Sequence, residues 1–206
     1  MLTKIDEEHF FSQKVSLRRK FSNFDLRLLT YFARITGVFP ENIISLGAFT
    51  FFFVAPRHYL EVKGFLKDLR RKLKSRKILI LRTEQKLLNL IFSFFPDLYI
   101  HDLHVNHEKD SSRCVITVSL LTFAERGIAL GRKGKYIKTV NKLLEEYLTF
   151  EEYATFRRYD LPIRVKCEVH GSSSDSAPLP RDFFQADQVG DRISDHAHGR
   201  GKYQQE

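Results

Sequence analysis

Two glycines separated by two basic residues form the stretch Gly131-Arg132-Lys133-Gly134, called here the GRKG loop. Glycine tolerates positive φ angles and lacks the Cβ that would keep a sugar-phosphate backbone away from the main chain. A helix that begins after the second glycine would point its free N–H groups and the positive end of its dipole at this turn, where an anion is favoured. The four residues therefore predict a phosphate-binding turn.

Three lysines extend the positive charge beyond the turn. Lys135, Lys138 and Lys142 are spaced three and four residues apart, so on a helix they share one face. The apolar residues of the same segment fall on the opposite face: Ile137, Val140, Leu144 and Tyr147. A basic line of this kind can follow a nucleic-acid backbone.

The elements that must position this loop can be read from apolar periodicity in the second half of the chain. A helix with apolar residues at Leu87, Leu90, Ile91 and Phe94 ends at Pro96. The following elements are the strands "LYIHDLHV" and "RCVITVSL", the short helix "FAERGIAL", the GRKG loop, the lysine-bearing helix and the strand "LPIRVKCEV". The predicted order is α-β-β-α-GxxG-α-β. The stretch "TFEEYATFRRYD" is read either as an extension of the helix or as a loop.

The first half repeats the pattern without the loop. A helix with apolar residues at Phe24, Leu28, Tyr31 and Ile35 runs to Gly37. It is followed by the strands "ENIISLG" and "FTFFFVA", a helix from Pro56 and the strand "KILIL". The order is α-β-β-α-β. The second of these helices carries a row of basic residues, which either tracks phosphates or is an ordinary solvated surface: Lys63, Lys67, Arg70 and Lys74.

The charge balance favours a polyanionic partner. The chain has a formal net charge of +9 and a pI near 9.6, with most of the excess before Arg82. No stretch reaches the roughly 18 uninterrupted apolar residues of a membrane span, and the amino terminus lacks a secretory signal. We therefore expect a cytoplasmic protein, or one of an organelle matrix or stroma, that is neither secreted nor bound to a membrane.

Three stretches together resemble the KH region of NusA transcription factors: "RTEQKLLNLIF", "SRCVITV" and "ERGIALGRKGKYIKTVNKLLEEY". The archaeal form, with two type II KH units in tandem, is the most similar, over about Phe24 to Val169. In a KH domain the GxxG loop clamps about four nucleotides. The resemblance implies that the GRKG loop holds RNA, with Ile128 and Lys135 flanking it. The first unit departs from the family, because its strand runs almost straight into the next helix and the loop is missing.

The resulting fold class is α/β (α+β), with two consecutive type II KH-like units, each a three-stranded mixed sheet covered by helices. The expected division is an N-terminal extension over 1–21, a degenerate unit without GxxG over 22–81, a KH unit with the GRKG loop over 82–169 and a disordered tail over 170–206. The tail is polar, rich in turn-forming residues and without sustained periodicity.

The predicted function is binding of single-stranded RNA, without catalysis, cofactor or small-molecule substrate. The resemblance implies transcription elongation, termination or antitermination, with RNA polymerase and nascent RNA as partners. Two alternatives stay open: a ribosomal or ribosome-associated protein that binds ribosomal RNA, and a protein-interaction scaffold in which the loop is vestigial.

Other side chains that could bind a metal ion, react or stack on bases are interpreted as structural residues. His101, His104 and His107 lie on a predicted strand and its turn, so they do not converge on a metal ion. Cys114 and Cys167 are expected to be small strand residues rather than nucleophiles or metal ligands. The phenylalanines of "FTFFFVA" are expected to be core residues rather than a base-stacking platform.

Overall fold

The computed structural model describes residues 4–108, 113–151 and 162–171. These residues belong to one compact unit. The predicted tail lies outside the described residues, apart from His170 and Gly171. None of the helices in the described ranges is long and apolar enough to cross a membrane.

The first sheet-plus-helix unit has the predicted α-β-β-α-β order. Its elements are α2 (Asn23–Thr36), β2 (Asn42–Leu46), β3 (Phe49–Val54), a 3-10 turn (Pro56–His58), α3 (Tyr59–Lys63), α4 (Leu66–Lys72) and β4 (Lys77–Arg82). The sheet order is β2-β3-β4, in which β3 pairs with β2 in antiparallel and with β4 in parallel orientation. Strand β3 ends two residues before Pro56, so no loop intervenes.

The single helix predicted from Pro56 is wrong in detail, because the structure divides it into the 3-10 turn, α3 and α4. The main-chain N–H groups of Gly64 and Phe65 donate to the carbonyls of Glu61 and Val62, at 3.1 and 3.0 Å. These i to i−3 bonds tighten the chain and end α3. Glycine is also a weak helix former, which favours the break at this position.

The second unit has the predicted α-β-β-α-α-β order. Its elements are α5 (Leu87–Ser93), β5 (Ile100–Glu108), β6 (Arg113–Leu120), α6 (Phe123–Leu130), the 3-10 turn Arg132–Gly134, α7 (Lys135–Tyr147) and β8 (Ile163–Val169). The sheet order is β5-β6-β8, with β5 antiparallel and β8 parallel to β6. The predicted fold class, two units that each pack helices on a three-stranded mixed sheet, is confirmed.

The amino-terminal residues also belong to the packed structure. Helix α1 (Lys4–Phe11) and strand β1 (Val15–Leu17) precede the first unit, and β1 pairs with a short strand β7 (Leu148–Phe150). Strand β7 lies at the start of the stretch that the sequence left open between helix and loop. Phe10, Phe11 and Val15 are buried in the same core as the second unit. The segment treated as an extension therefore contributes apolar contacts to the fold.

Strand β3 is buried on both of its faces. Phe51 and Phe53 join the larger core, which also contains apolar residues of α5, β6, α7 and β8. Phe52 and Val54 face a smaller core with Phe32 of α2, whose ring is stacked 4.3 Å from that of Phe52. A strand covered on both sides is typical of a sheet between two helical layers. The "FTFFFVA" run is therefore core, as expected, and it joins the two units.

Candidate nucleic-acid interface

The GRKG loop begins where α6 ends, and α6 is capped at both ends. At its start, the Glu125 N–H donates to the Thr122 hydroxyl at 3.1 Å and the Thr122 N–H donates to the Glu125 carboxylate at 3.0 Å. This reciprocal capping box fixes the first turn. At its end, the Gly131 N–H is shared between the carbonyls of Gly127 and Ile128, at 3.0 and 3.1 Å. The chain then leaves the helix axis at Gly131.

Three of the four residues in the GRKG loop have positive φ angles. Gly131 has φ 69° and ψ 171°, Lys133 has φ 55° and ψ 30°, and Gly134 has φ 67° and ψ 17°. The Gly131 conformation is essentially restricted to glycine, whereas the other two lie in the left-handed helical region. Among the described residues, Lys133 is the one non-glycine with positive φ. The turn closes through a 2.9 Å hydrogen bond from the Gly134 N–H to the Gly131 carbonyl.

The two glycines face different surroundings. A Cβ built on Gly131 would lie 2.7 Å from the Cβ of Tyr136 and 3.3 Å from its amide nitrogen. A Cβ built on Gly134 would meet nothing within 4 Å. Gly131 is therefore required for internal packing, whereas the main chain at Gly134 faces open space that a ligand can enter.

Tyr136 supports the loop from within the protein. Its hydroxyl donates to the main-chain carbonyl of Phe94, and its ring centroid lies 5.7 Å from that of Phe49 and 6.4 Å from those of Phe51 and Phe95. Burial raises the pKa of Tyr136 well above its usual range, so the side chain stays protonated and can donate. Because Phe49 and Phe51 belong to β3, the loop of the second unit rests on the sheet of the first.

The charged side chains at the loop point to solvent. Arg132, Lys133, Lys135, Lys138 and Lys142 are all exposed. Lys142 forms an i,i+4 ion pair with Glu146 at 3.5 Å, which partly offsets its charge. The opposite face of α7 buries Ile137, Val140, Leu143 and Leu144. The structure thus places the predicted lysines together on the outer face of one helix.

The start of α7 is open to an anion. No side chain within the described ranges caps this helix, whose N-cap residue is Gly134. The first turn of an α-helix has main-chain N–H groups without intrahelical partners, and these groups favour negative charge. Arg132 and Lys133 stand at the same point. The N–H groups of Gly134 and Lys135 already donate to the carbonyls of Gly131 and Arg132. The geometry therefore suits a phosphate held by the positive end of the helix dipole and by two cations.

Exposed apolar side chains lie at both ends of α6, and only Ile128 is close to the loop in sequence. Ile128, which the resemblance placed beside the loop, is 65% exposed, and Leu121 and Phe123 are 49% and 48% exposed. Leu121 and Phe123 were not among the residues predicted from the sequence. A signal was present, because the Thr122 to Glu125 capping-box spacing puts Phe123 in the first turn of a helix and Leu121 just before it.

Helices α6 and α7 are fixed to the edge strand β8. The Asn141 amide group on α7 donates to the Val165 carbonyl at 3.1 Å and accepts from the Val165 N–H at 2.7 Å. The Arg126 guanidinium on α6 donates to the Cys167 carbonyl at 3.0 Å. These bonds satisfy main-chain groups at the edge of the sheet and hold both helices that flank the loop.

The secondary basic row is divided in the structure. Lys63 lies on α3 and forms a 2.7 Å ion pair with Asp97 of the second unit, and this hydrogen bond raises the pKa of Lys63. Arg70 on α4 donates to the Ile78 carbonyl at 3.3 Å. Lys67 and Lys74 are exposed. Because α3 and α4 are separate helices and two of the four cations contact the protein, the row is not one continuous face.

The remaining candidate residues are distributed along the second sheet. The His101 ring lies 4.0 Å from that of His170, and His104 contacts Asp102 at 2.9 Å, whereas the His107 side chain lies outside the described residues. No group of three metal-binding side chains occurs in the described part of the chain. Cys114 and Cys167 are buried, and burial raises the pKa of these thiols to about 11 and about 12.

Comparison with known proteins finds likenesses in structure alone. No family model matches the chain, and no curated protein matches it. Among solved structures, the crystal structure of APE1850 is similar to this chain over 71% of its length and over 100% of the other chain, at 20% sequence identity and a TM-score of 0.49. The chemistry of the site therefore rests on the residues of this chain.

Proposed function

We propose that this protein binds single-stranded RNA through the GRKG loop and has no catalytic activity. The observation that carries this proposal is the backbone of Lys133, which adopts φ 55° between two glycines at the uncapped start of α7. A left-handed conformation costs a non-glycine residue about 1 kcal/mol. Strain of this kind concentrates at functional sites, and here it holds a positive charge at the tip of an anion-binding turn.

The surroundings of Lys133 support a phosphate backbone as the ligand. The main chain at Gly134 is approachable, Arg132 adds a second exposed cation, and the lysines of α7 continue the charge away from the turn. Ile128 offers an exposed apolar surface beside the loop. Phosphates next to an apolar surface match single-stranded RNA, whose unpaired bases can turn towards the protein.

The process that this binding serves is proposed from the sequence resemblance to NusA. It is transcription elongation, termination or antitermination, with nascent RNA and RNA polymerase as partners in the cytoplasm or in an organelle matrix or stroma. Co-purification from cells, followed by immunoblotting for polymerase and for ribosomal proteins, separates this role from the ribosomal alternative.

RNA binding itself is tested by titrating labelled single-stranded RNA at two salt concentrations. We expect the variant Arg132→Asp/Lys133→Asp to lose at least about tenfold in affinity, and the slope of log affinity against log salt to fall by about 0.7 for each lost phosphate contact. The matched control is Lys67→Asp/Lys74→Asp, which makes the same charge change on exposed residues of the first unit. Equal loss in both variants would mean that net charge alone governs binding, and it would refute the loop as the site.

A further inference from the structure

A second cationic surface with exposed aromatic rings runs from the end of β1 into the first turn of α2. The segment "RRKFSNF", called here the 18–24 segment, has Arg18, Arg19 and Lys20 exposed, and its rings Phe21 and Phe24 are 39% and 42% exposed. Neither ring belongs to either of the two hydrophobic cores. Neighbouring cations and accessible rings are the combination that holds single-stranded nucleic acids.

The segment is held at both ends by hydrogen bonds. The Arg18 N–H donates to the Tyr147 carbonyl at 2.8 Å, and the Asn42 amide donates to the Arg18 carbonyl at 3.4 Å. At the other end, the Ser22 N–H donates to the Asp25 carboxylate at 3.0 Å, and the Asp25 N–H donates to the Ser22 hydroxyl at 3.2 Å. The cations and rings between these points are thus presented on a defined backbone.

The local charge is positive without an acidic side chain of the segment to cancel it. Asp25, the acid next to the segment, is only 7% exposed and belongs to the capping box of α2. Arg76 adds a further cation, because its guanidinium carbon lies 4.9 Å above the Phe24 ring, while one of its amino groups donates to the Gly47 carbonyl at 3.3 Å. A guanidinium fixed over a ring forms a planar cationic surface that suits a base or a phosphate.

The 18–24 segment lies at the far end of the helix that starts at the GRKG loop. The Lys20 ammonium is 5.9 Å from the ring centroid of Tyr147, the last residue of α7. Lys135, the first residue of α7, follows the loop directly, and 12 helical steps span about 18 Å. The exposed Lys138 and Lys142 lie between the two ends. A single-stranded RNA that runs from the GRKG loop along α7 would therefore reach the 18–24 segment.

We propose that the 18–24 segment is a second contact site for single-stranded RNA, in which Arg18, Arg19 and Lys20 neutralise phosphates and the rings of Phe21 and Phe24 stack on bases. This inference rests on the proposed function, since it assigns a contact site to the part of a longer RNA that the loop does not hold. An acidic protein surface would match the cations alone. The exposed rings and the Arg76 guanidinium stacked on one of them favour RNA.

The test compares oligonucleotides of about four and about 16 nucleotides, the first long enough for the loop alone. The variant Arg18→Ser/Arg19→Ser/Lys20→Ser is expected to bind the long RNA at least about tenfold more weakly, with a salt slope lower by about 2, and the short RNA as the unmodified protein does. Phe21→Ala/Phe24→Ala is expected to weaken the binding of the long RNA only, without a change in the salt slope. The control is Lys67→Ser/Lys72→Ser/Lys74→Ser, with circular dichroism as the check on folding.

Each outcome separates this inference from the proposed function. The 18–24 variants could bind the long RNA unchanged while the loop variant loses affinity for both RNAs. That result would refute the 18–24 segment as a contact site and leave the loop proposal intact. Full binding of both RNAs by the loop variant refutes the loop proposal instead. If the lysine control loses as much affinity for the long RNA as the 18–20 variant does, the effect is one of net charge. That result would refute the 18–24 segment as a contact site.

Discussion

Gly131 and Tyr136 are in direct contact beneath the GRKG loop, so that a Cβ on Gly131 would lie 2.7 Å from the Cβ of Tyr136. Tyr136 in turn packs against Phe49 and Phe51 of the first unit and donates to the Phe94 carbonyl. The shape of the loop is therefore set from inside the protein. The first unit, which lacks such a loop, supports that of the second.

The two glycines of the loop are expected to differ in their tolerance of alanine. Gly131→Ala combines a glycine-only backbone conformation with a steric overlap on Tyr136, and should lower the free energy of unfolding by about 3 kcal/mol. Gly134→Ala meets open space and should cost about 1 kcal/mol, the penalty of the left-handed conformation. Urea unfolding followed by circular dichroism measures both. Equal losses would contradict the packing described for Gly131.

Lys133→Gly is expected to separate stability from function. A new glycine usually lowers the free energy of unfolding. Here glycine relieves the strain of the left-handed backbone, so the free energy of unfolding should instead rise by up to about 1 kcal/mol. RNA affinity should fall, because the cation at the tip of the turn is lost. Paired urea unfolding and RNA titration check this, with Lys138→Gly as the control inside α7, where glycine should destabilise. A fall in stability at both positions would refute strain at Lys133.

The protein is expected to unfold in a single transition, because one core contains residues of both units and of the amino-terminal helix. A fragment of residues 82–171 would expose the apolar surface that otherwise contacts Phe10, Phe51 and Phe53. We predict that this fragment lacks a cooperative thermal transition and dispersed amide signals in NMR spectra, whereas 1–171 shows both. Independent folding of the fragment would show that the shared core is dispensable.

The capping box at the start of α2 should make stability depend on pH. Burial alone would raise the pKa of Asp25, but the hydrogen bonds from Ser22, with those of Ser45 and the charge of Arg76, lower it below 3.8. The ionised carboxylate therefore stabilises the folded state above pH 3.8, and this contribution is lost as the pH falls through the folded-state pKa. Asp25→Ala should cost about 1 kcal/mol at pH 7 and nearly nothing at the acid limit.

Urea unfolding at a series of pH values tests this dependence, with Asp68→Ala as the comparison. Asp68 is exposed and pairs with Arg71 at 3.0 Å on the surface of α4, so its loss should be smaller. A cost of Asp25→Ala that is independent of pH would mean that the carboxylate charge has no part in the cap.

The sequence predicted those features that depend on neighbouring residues. Apolar periodicity indicated the order of elements in both units, and the spacing of glycines and lysines indicated an exposed basic turn. Features that depend on contacts between residues far apart in the sequence could not be predicted from it. Strand β7 pairs with β1, more than a hundred residues away in sequence, and Lys63 was assigned to a basic row because its partner Asp97 lies in the other unit.

Tyr136 shows the same limit within the site. It precedes Ile137 on α7 and falls between the apolar and the basic faces, so periodicity alone does not assign it a role. Its importance arises from the rings of β3, which only the tertiary structure brings beneath the loop. Likewise, the alternation of the β3 phenylalanines predicted burial but could not show that opposite faces enter different cores.

Photo-crosslinking can locate the residues that contact RNA. RNA that contains 4-thiouridine is bound to the unmodified protein, irradiated, and the crosslinked peptides are identified by mass spectrometry. We expect crosslinks within 123–142, around the GRKG loop, and their loss in Arg132→Asp/Lys133→Asp. Crosslinks that fall only on α3 and α4 of the first unit, and that persist in the loop variant, would refute the GRKG loop as the RNA site.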